Sequence, residues 1–392
     1  MKLREEIDRI RGMMGIISEQ VKIPFKMSIP EDIMGIKEVF KTNGFHLYVV
    51  GGAVRDSVTG KKPKDYDLVT DALPDYVENI LQEAGYRTLP TGKAFGVINV
   101  FTDMGEYEIA TMREDVGSGR RPESVRFVDI ETDVKRRDLT INALYYDIDR
   151  GEIIDMVGGY DDIKNNVVRT VGDPEDRFAE DRLRILRAIR FAARMGSDLD
   201  EKIKESLRKD SSLTGVSYER IRDEFIKGIK SAKSVKYFLG LLREYGLFEW
   251  IFTGLKVGDD FIDENDPILV ISVLLMGNDV GKVQKRLIDL KYTVDESKDV
   301  SFLLKIRGLN IDNVIQMKKA QGNIKLSNEQ ILKFGKIVGM DMVLLERFVK
   351  FRFTVKGDDV MKERGIKQGK ELGDLINQME LKNFLNGIAR TN

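Results

Sequence analysis

The chain of 392 residues contains no cysteine, which excludes disulfides, thiolate nucleophiles, iron–sulfur clusters and cysteine-based zinc sites together. Such a chain suits the reducing cytoplasm, the compartment expected for it. It contains one histidine, His46. A single imidazole rules out histidine-pair metal sites and the multi-histidine centres of HD-type phosphohydrolases, and His46, at the start of an apolar strand, is read as structural. No uninterrupted apolar run approaches the roughly 20 residues that cross a bilayer, so a membrane protein is not expected. The N-terminus, MKLREEIDRIRGMMGIISEQ, lacks the unbroken apolar core of a signal peptide and instead places Leu3, Ile7, Ile10, Met14 and Ile17 at helical spacing among charges. An excess of one charge is missing too. With 64 basic and 65 acidic side chains the net charge is −1, so attraction to nucleic acid has to come from basic groups sorted onto one face.

What is present describes a charge-rich globular chain, 42% hydrophobic and 33% charged, long enough for two to four modules. After the N-terminal helix and a helix near 31–43, strand patterns appear in HLYVV (46–50), YDLV (66–69), GVINVF (96–101), YEIAT (107–111), VRFV (125–128) and ALYYDI (143–148). They predict one sheet of about half a dozen strands. LPDYVENILQEAG (73–85) reads as a helix ended by its glycine. Residues 26–150 thus form an expected α/β domain, with GEIIDMVGGYDDIKNN (151–166) as its exit. Beyond it helical periods continue through EDRLRILRAIRFAARM (180–195), DEKIKESLRKD (200–210), SYERIRDEFIKGIK (217–230) and SVKYFLGLLREYGLF (234–248) to the end. The fold class is α+β, an α/β domain followed by a helical array, with no repeat of fixed period.

The most informative stretch is LYVVGGAVRDSVTGKKPKDYDLV (47–69). A buried strand ends in Gly51 and Gly52, which let the backbone approach a ligand and open a helix whose amides favour phosphate. Arg55, in its first turn, offers a charge-assisted contact to a phosphate oxygen. Asp65 and Asp67 are two apart on the next strand and so share a face, where both carboxylates can converge on hard cations. Magnesium is the expected metal, and two ions about 3.5–4 Å apart suit an in-line displacement at phosphorus. Glu108, on a neighbouring strand, has the parity to face the same place. An Asp-x-Asp by itself describes many solvated strand ends; the strand–Gly-Gly–helix unit beside it gives it meaning.

GGAVRD followed by DYD is similar to the first motif of the polymerase-β-like nucleotidyltransferases, and within them of the class II tRNA nucleotidyltransferases and bacterial poly(A) polymerases. KRRDLTINAL (135–144) is similar to the second motif, GDPEDRF (172–178) to the third, EDRLRILRAIRF (180–191) to the fourth and SYERIRDEF (217–225) to the fifth. The resemblance implies a nucleotidyltransferase head over 26–150, a base-reading neck over 151–230, a helical body over 231–350 and an RNA-binding tail over 351–392, with residues 1–25 as an N-terminal extension. It implies addition of CMP, CMP and AMP to the 3′ end of tRNA from CTP and ATP. The same site would serve CC-only or A-only addition or poly(A) synthesis, and a catalytically silent RNA-binding module is the alternative of another class.

By the same resemblance Arg137 and Asp138 bind nucleotide and select ribose, Asp181 and Arg184 read the incoming base with Glu180 orienting them, and Arg187 contacts the triphosphate. The residues agree: Asp138 beside two arginines can accept from a 2′-hydroxyl, and Asp181 and Arg184, three apart on one helix, face the same way, with Arg187 continuing the row. An acceptor beside a donor matches the Watson–Crick edges of cytosine and adenine, each an amine next to a bare ring nitrogen. In the tail, VKGDDVMKERGIKQGKELGDLI (355–376), glycines at 357, 365, 369 and 373 are expected to punctuate short helices, with Lys362, Arg364, Lys367 and Lys370 near RNA phosphates. TMREDVGSGRRPESV (111–125) is shorter than the flexible loop of many relatives, which the family links to the final adenosine step.

Overall fold

The computed structural model describes residues 20–116 and 124–389. Nearly all of the N-terminal helix expected over 1–20, and the middle of the 111–125 segment, lie outside them. The described chain divides into two units, one of residues 20–217 with Ser231–Ser234 and Glu244–Leu247, the other of Tyr218–Lys230, Val235–Arg243 and residues 248–389.

The first unit is built on an eight-stranded sheet. Its strands are β1 (Val21–Pro24), β2 (Leu47–Val50), β3 (Asp67–Thr70), β4 (Arg87–Gly92), β5 (Val97–Phe101), β6 (Glu106–Thr111), then, after β7 (Arg113–Val116) and β8 (Ser124–Phe127), β9 (Tyr145–Asp147) and β10 (Glu152–Asp155). The order is β1-β10-β9-β2-β3-β6-β5-β4. Only β3 and β6 pair in parallel; the other neighbours are antiparallel. The sheet therefore reaches beyond 26–150 at both ends, through β1 and β10, and the first part of the expected exit is a strand. Segment 125–128, expected in this sheet, pairs instead with β7 in a separate two-stranded ribbon. Its residues Ser124, Arg126 and Phe127 are exposed, so it has no buried face with which to enter a core.

Helix α1 (Glu31–Thr42) buries Ile33, Ile36 and Phe40, one stripe at helical spacing, and α3 (Pro74–Glu83) starts on a proline that has no amide to satisfy. Between them, α2 (Gly52–Val58) leaves the end of β2. Val50, Val69, Met112, Val134, Tyr145, Ile154 and Val171 form a core against one another. The exit turn folds around Asp155, whose Oδ1 accepts the amides of Val157, Gly158 and Gly159 and whose Oδ2 accepts that of Tyr160. Gly159 is required there, because a Cβ would lie 2.1 Å from the Thr140 carbonyl oxygen.

Helix α4 (Pro174–Glu180) and helix α5 (Leu183–Met195) follow, separated at Asp181, whose backbone is extended. The helix expected over 180–195 is therefore shorter and begins three residues late. In the second unit, helices through 267–350 close a core of Leu269, Phe302, Leu303, Ile331, Phe334, Leu345 and Phe348, into which Phe384 of the final helix inserts. The tail is two helices, α6 (Gly357–Arg364) and α7 (Lys370–Ala389). Gly365, with φ +64°, ends α6, whereas Gly373 lies inside α7 and breaks nothing. Glu380 of α7 accepts the amides of Thr354 and Val355 and so fixes the segment that enters the tail.

Candidate active site

Strand register builds the site. Val50 pairs with Tyr145 on one side and Asp67 on the other, and Asp67 pairs with Glu108. One row across four strands thus carries Tyr145, Val50, Asp67 and Glu108, and the chain leaves that row at Gly51. Gly51 has φ +71° and ψ −121°, a backbone shape that only glycine adopts without strain; its amide donates to the Leu144 carbonyl.

Asp65, expected on the same strand face as Asp67, instead lies two residues ahead of β3, so strand alternation does not set its direction; Asp67 is the first residue of the strand, and both are exposed. Crowding by the surrounding chain, first, and Asp65, after a partial offset by Arg137, raise the Asp67 carboxyl above its usual range. Glu108 is raised in the same way, by crowding and then by the charge of Asp67. The carboxylates repel one another, a donor set that a divalent cation would relieve. Among the described residues no three acids or imidazoles converge into a metal cage. Asp65 and Asp67 alone still fit magnesium, which commonly takes one or two protein carboxylates and fills its remaining positions with water and substrate phosphate. Glu108 stands beside the pair.

A buried charge centre that sequence reasoning did not single out joins the row at Tyr145. Asp133, with no exposure, accepts from the Arg113 amide (3.0 Å), Arg136 Nε (2.8 Å), Arg137 Nη2 (3.1 Å) and Tyr145 Oη (2.6 Å). Burial alone would raise its pKa, but Arg137 and Arg136 overcome this and hold it below the ordinary carboxylate range. Arg137 also donates Nε to Tyr145 Oη at 2.9 Å. The signal in the sequence was faint: an acid four residues before Arg137 in ETDVKRRD, which reads equally as a solvated run.

The neighbouring segment receives arginines from α4 and α5. Arg177 Nη2 donates to the Lys135 carbonyl (2.6 Å) and Arg184 Nη2 to that of Arg136 (3.3 Å), while Arg187 pairs with Asp138 through Nε (2.7 Å) and Nη2 (2.6 Å). These bonds keep Asp138 ionised despite its burial. Arg187 and Asp138, both candidate nucleotide contacts, are thus brought together. Asp181 and Arg184 are not the one-helix pair that their spacing suggests: Asp181 sits at the joint and accepts the Leu183 amide (3.1 Å), while Arg184 forms its ion pair with Glu180. The joint still presents an acid and a guanidinium close in sequence.

Arg55 departs furthest from expectation. It is 3% exposed, with Nη1 on Asn142 and with Nε and Nη2 on Asp56, which Arg194 also engages. Its guanidinium lies 4.9 Å from the centre of the Phe191 ring. Its nitrogens are taken by Asn142 and Asp56 beside the Gly51–Gly52 turn. In the tail, Lys362 and Arg364 occupy the last turn of α6, Lys367 the connecting turn and Lys370 the first position of α7. All four are exposed and surround one turn, so only the start of α7, and not a series of helix N-termini, lies beside them.

Residues 47–169 match the poly A polymerase head domain and residues 197–258 the probable RNA- and SrmB-binding site of polymerase A. A CCA-adding enzyme of Ligilactobacillus salivarius is 33% identical over 93% of each chain. The chain belongs to the CCA-adding enzyme family. It is therefore a nucleotidyltransferase. A mitochondrial CCA tRNA nucleotidyltransferase 1 of Danio rerio is 32% identical over 91% of this chain and 87% of its own length. The crystal structure of the Bacillus stearothermophilus CCA-adding enzyme in complex with CTP superposes with a TM-score of 0.73 at 25% identity, covering 91% of this chain and 93% of the other. As the family's fold requires, a nucleotidyltransferase head with a mixed sheet precedes a helical region. No described helix is long and apolar enough to cross a membrane.

Proposed function

We propose that this chain adds CMP, CMP and AMP to the 3′ end of tRNA from CTP and ATP, releasing pyrophosphate, in the cytoplasm. The observation that carries the reading is the match to a CCA-adding enzyme over 93% of both chains, because the head alone would suit a poly(A) polymerase equally well. Residues 26–150 would hold metal and triphosphate, 151–230 the base, and 351–392 the RNA, with 231–350 as the body between.

Asp65 and Asp67 would hold magnesium, which when bound supplies Lewis acidity to the attacking 3′-hydroxyl and neutralises charge on the leaving pyrophosphate. Arg137 places a permanent cation within electrostatic reach of Asp67 and so offers a charge-assisted contact to the triphosphate. Asp138, kept ionised by Arg187, accepts from the ribose, and Arg187 lends its charge to the phosphates. Gly51 and Gly52 let the triphosphate approach the backbone.

At the α4–α5 joint, Asp181 supplies an acceptor and Arg184 a donor. A base with the reversed pattern, uracil or guanine, leaves both unpaired at about 1–3 kcal/mol each. Asp181→Ala is expected to lower incorporation of CTP and ATP and to narrow their advantage over UTP and GTP, whereas Arg187→Ala weakens all four alike. Steady-state incorporation of each triphosphate is the measurement. Since Asp181 also bonds the Leu183 amide, discrimination rather than overall rate decides; wild-type discrimination in Asp181→Ala and Arg184→Ala would remove the base-reading role.

Binding of tRNA is expected to weaken with salt. Joint replacement of Lys362, Arg364, Lys367 and Lys370 by alanine should flatten the salt slope by up to about one unit for each phosphate no longer neutralised, with affinity for CTP unchanged. An unaltered slope would assign the tail another task.

A further inference from the structure

Asp133 has no part in the chemistry above, yet it gathers four donors in a place free of solvent. Each oxygen takes two. Oδ1 holds the Arg113 amide and Arg136 Nε; Oδ2 holds Arg137 Nη2 and Tyr145 Oη. A buried ion cluster is seldom more stabilising than apolar side chains of the same volume, so the reason for this one is sought in what it orients. Arg137 is gripped on two sides, by Asp133 at Nη2 and by Tyr145 at Nε, with the Tyr145 ring 4.8 Å from the guanidinium carbon. Tyr145 bridges the two charges, donating to Asp133 and accepting from Arg137. It is itself fixed in the strand row that carries Asp67. Arg113, whose amide completes Oδ1, is the first residue of β7. The carboxylate therefore joins the base of the β7–β8 ribbon to a guanidinium held on Tyr145, whose strand row carries Asp67.

We propose that Asp133, with Tyr145 as its bridge, is a positioning residue that aims the Arg137 guanidinium at the phosphates of the incoming nucleotide and ties that aim to the base of the ribbon. The inference rests on the nucleotide-adding reading and assigns a residue to it. A guanidinium held at Nε and one Nη keeps its plane and leaves its remaining N–H groups directed away from Asp133. Released from Asp133, Arg137 would keep its charge and lose its direction, and small misplacements of such groups commonly cost on the order of 100-fold.

The test uses the full-length protein carrying Asp133→Asn, which preserves shape, and Tyr145→Phe, which removes only the bridging hydroxyl. KM and kcat for CTP and ATP are measured together with the melting temperature, tRNA affinity and CTP affinity by equilibrium dialysis. KM for both nucleotides and the dissociation constant for CTP are expected to rise about 10- to 100-fold in either variant, with tRNA affinity unchanged. In an Arg137→Ala background the same substitutions should add little, because their route is already cut. A lowered melting temperature with nucleotide affinity at the wild-type value, or effects that multiply with Arg137→Ala, would overturn the proposal and leave Asp133 a purely structural residue. Should the wild-type protein bind CTP but add nothing to tRNA, the functional reading fails while dialysis still decides this one.

Discussion

Alanine in place of Asp67 is expected to reduce nucleotide addition by about 1,000-fold or more while tRNA affinity stays near the wild-type value. Asp67 starts β3 beside the Gly51 turn, in register with Val50 and Glu108. Asp65→Ala should have an effect of similar order. Glu108→Ala should cost less, because Glu108 stands next to the acid pair without completing a three-acid cage among the described residues. Single-turnover addition and tRNA binding, measured on the same preparations, separate these outcomes. Loss of tRNA binding with an unchanged rate per bound complex would remove the acids from the chemistry.

Asp133→Ala should give the largest loss of stability from one side chain in the first unit, about 3–5 kcal/mol, because it strands Arg136 and Arg137 near a buried site without their carboxylate. The direction with pH follows from the depressed pKa of Asp133. A carboxylate whose folded pKa lies below its unfolded value stabilises the fold above the unfolded pKa, and that contribution is lost as pH falls through the folded pKa. The advantage of the wild-type protein over Asp133→Ala is therefore expected to be full at neutral pH and to shrink below the ordinary carboxylate range. Thermal unfolding of both proteins across that range measures it; a difference that grows on acidification contradicts the assignment of charge.

Much of this arrangement was legible in the sequence because its parts are local. The buried run LYVV followed by two glycines gave the strand and turn, parity gave Asp67 and Glu108 a common row, and KRRD announced charges ahead of a buried strand, whereas alternation misplaced Asp65, which lies ahead of β3 rather than on it. The two edge strands escaped notice for a physical reason. β1 ends in Pro24, and β4 contains Pro90 and ends in Gly92, residues that a sheet tolerates at its edges but that weaken a strand pattern. The joint at Asp181 was hidden because EDRLRILRAIRFAAR keeps helical periodicity through the break; across it Arg184 reaches back to Glu180 and to the Arg177 carbonyl, contacts that no periodicity reports. Arg55 looked like a phosphate ligand from its place in the first helical turn, and the Asn142 and Phe191 side chains that surround it come from 87 residues or more further along the chain, beyond any local pattern. Asp133 was invisible for the same reason. Three of its four partners are near in sequence or on β9, but its burial comes from the folding of the sheet around it.

The most direct measurement supplies the purified protein with magnesium, a tRNA lacking its CCA end, and each nucleoside triphosphate alone and in combination, and determines product length and sequence. The account predicts two cytidines from CTP alone, CCA and then a stop from CTP with ATP, nothing from ATP alone on that substrate, and no incorporation of UTP or GTP. A long adenosine tail from ATP alone, or a chain that stops at CC when both nucleotides are present, would contradict it.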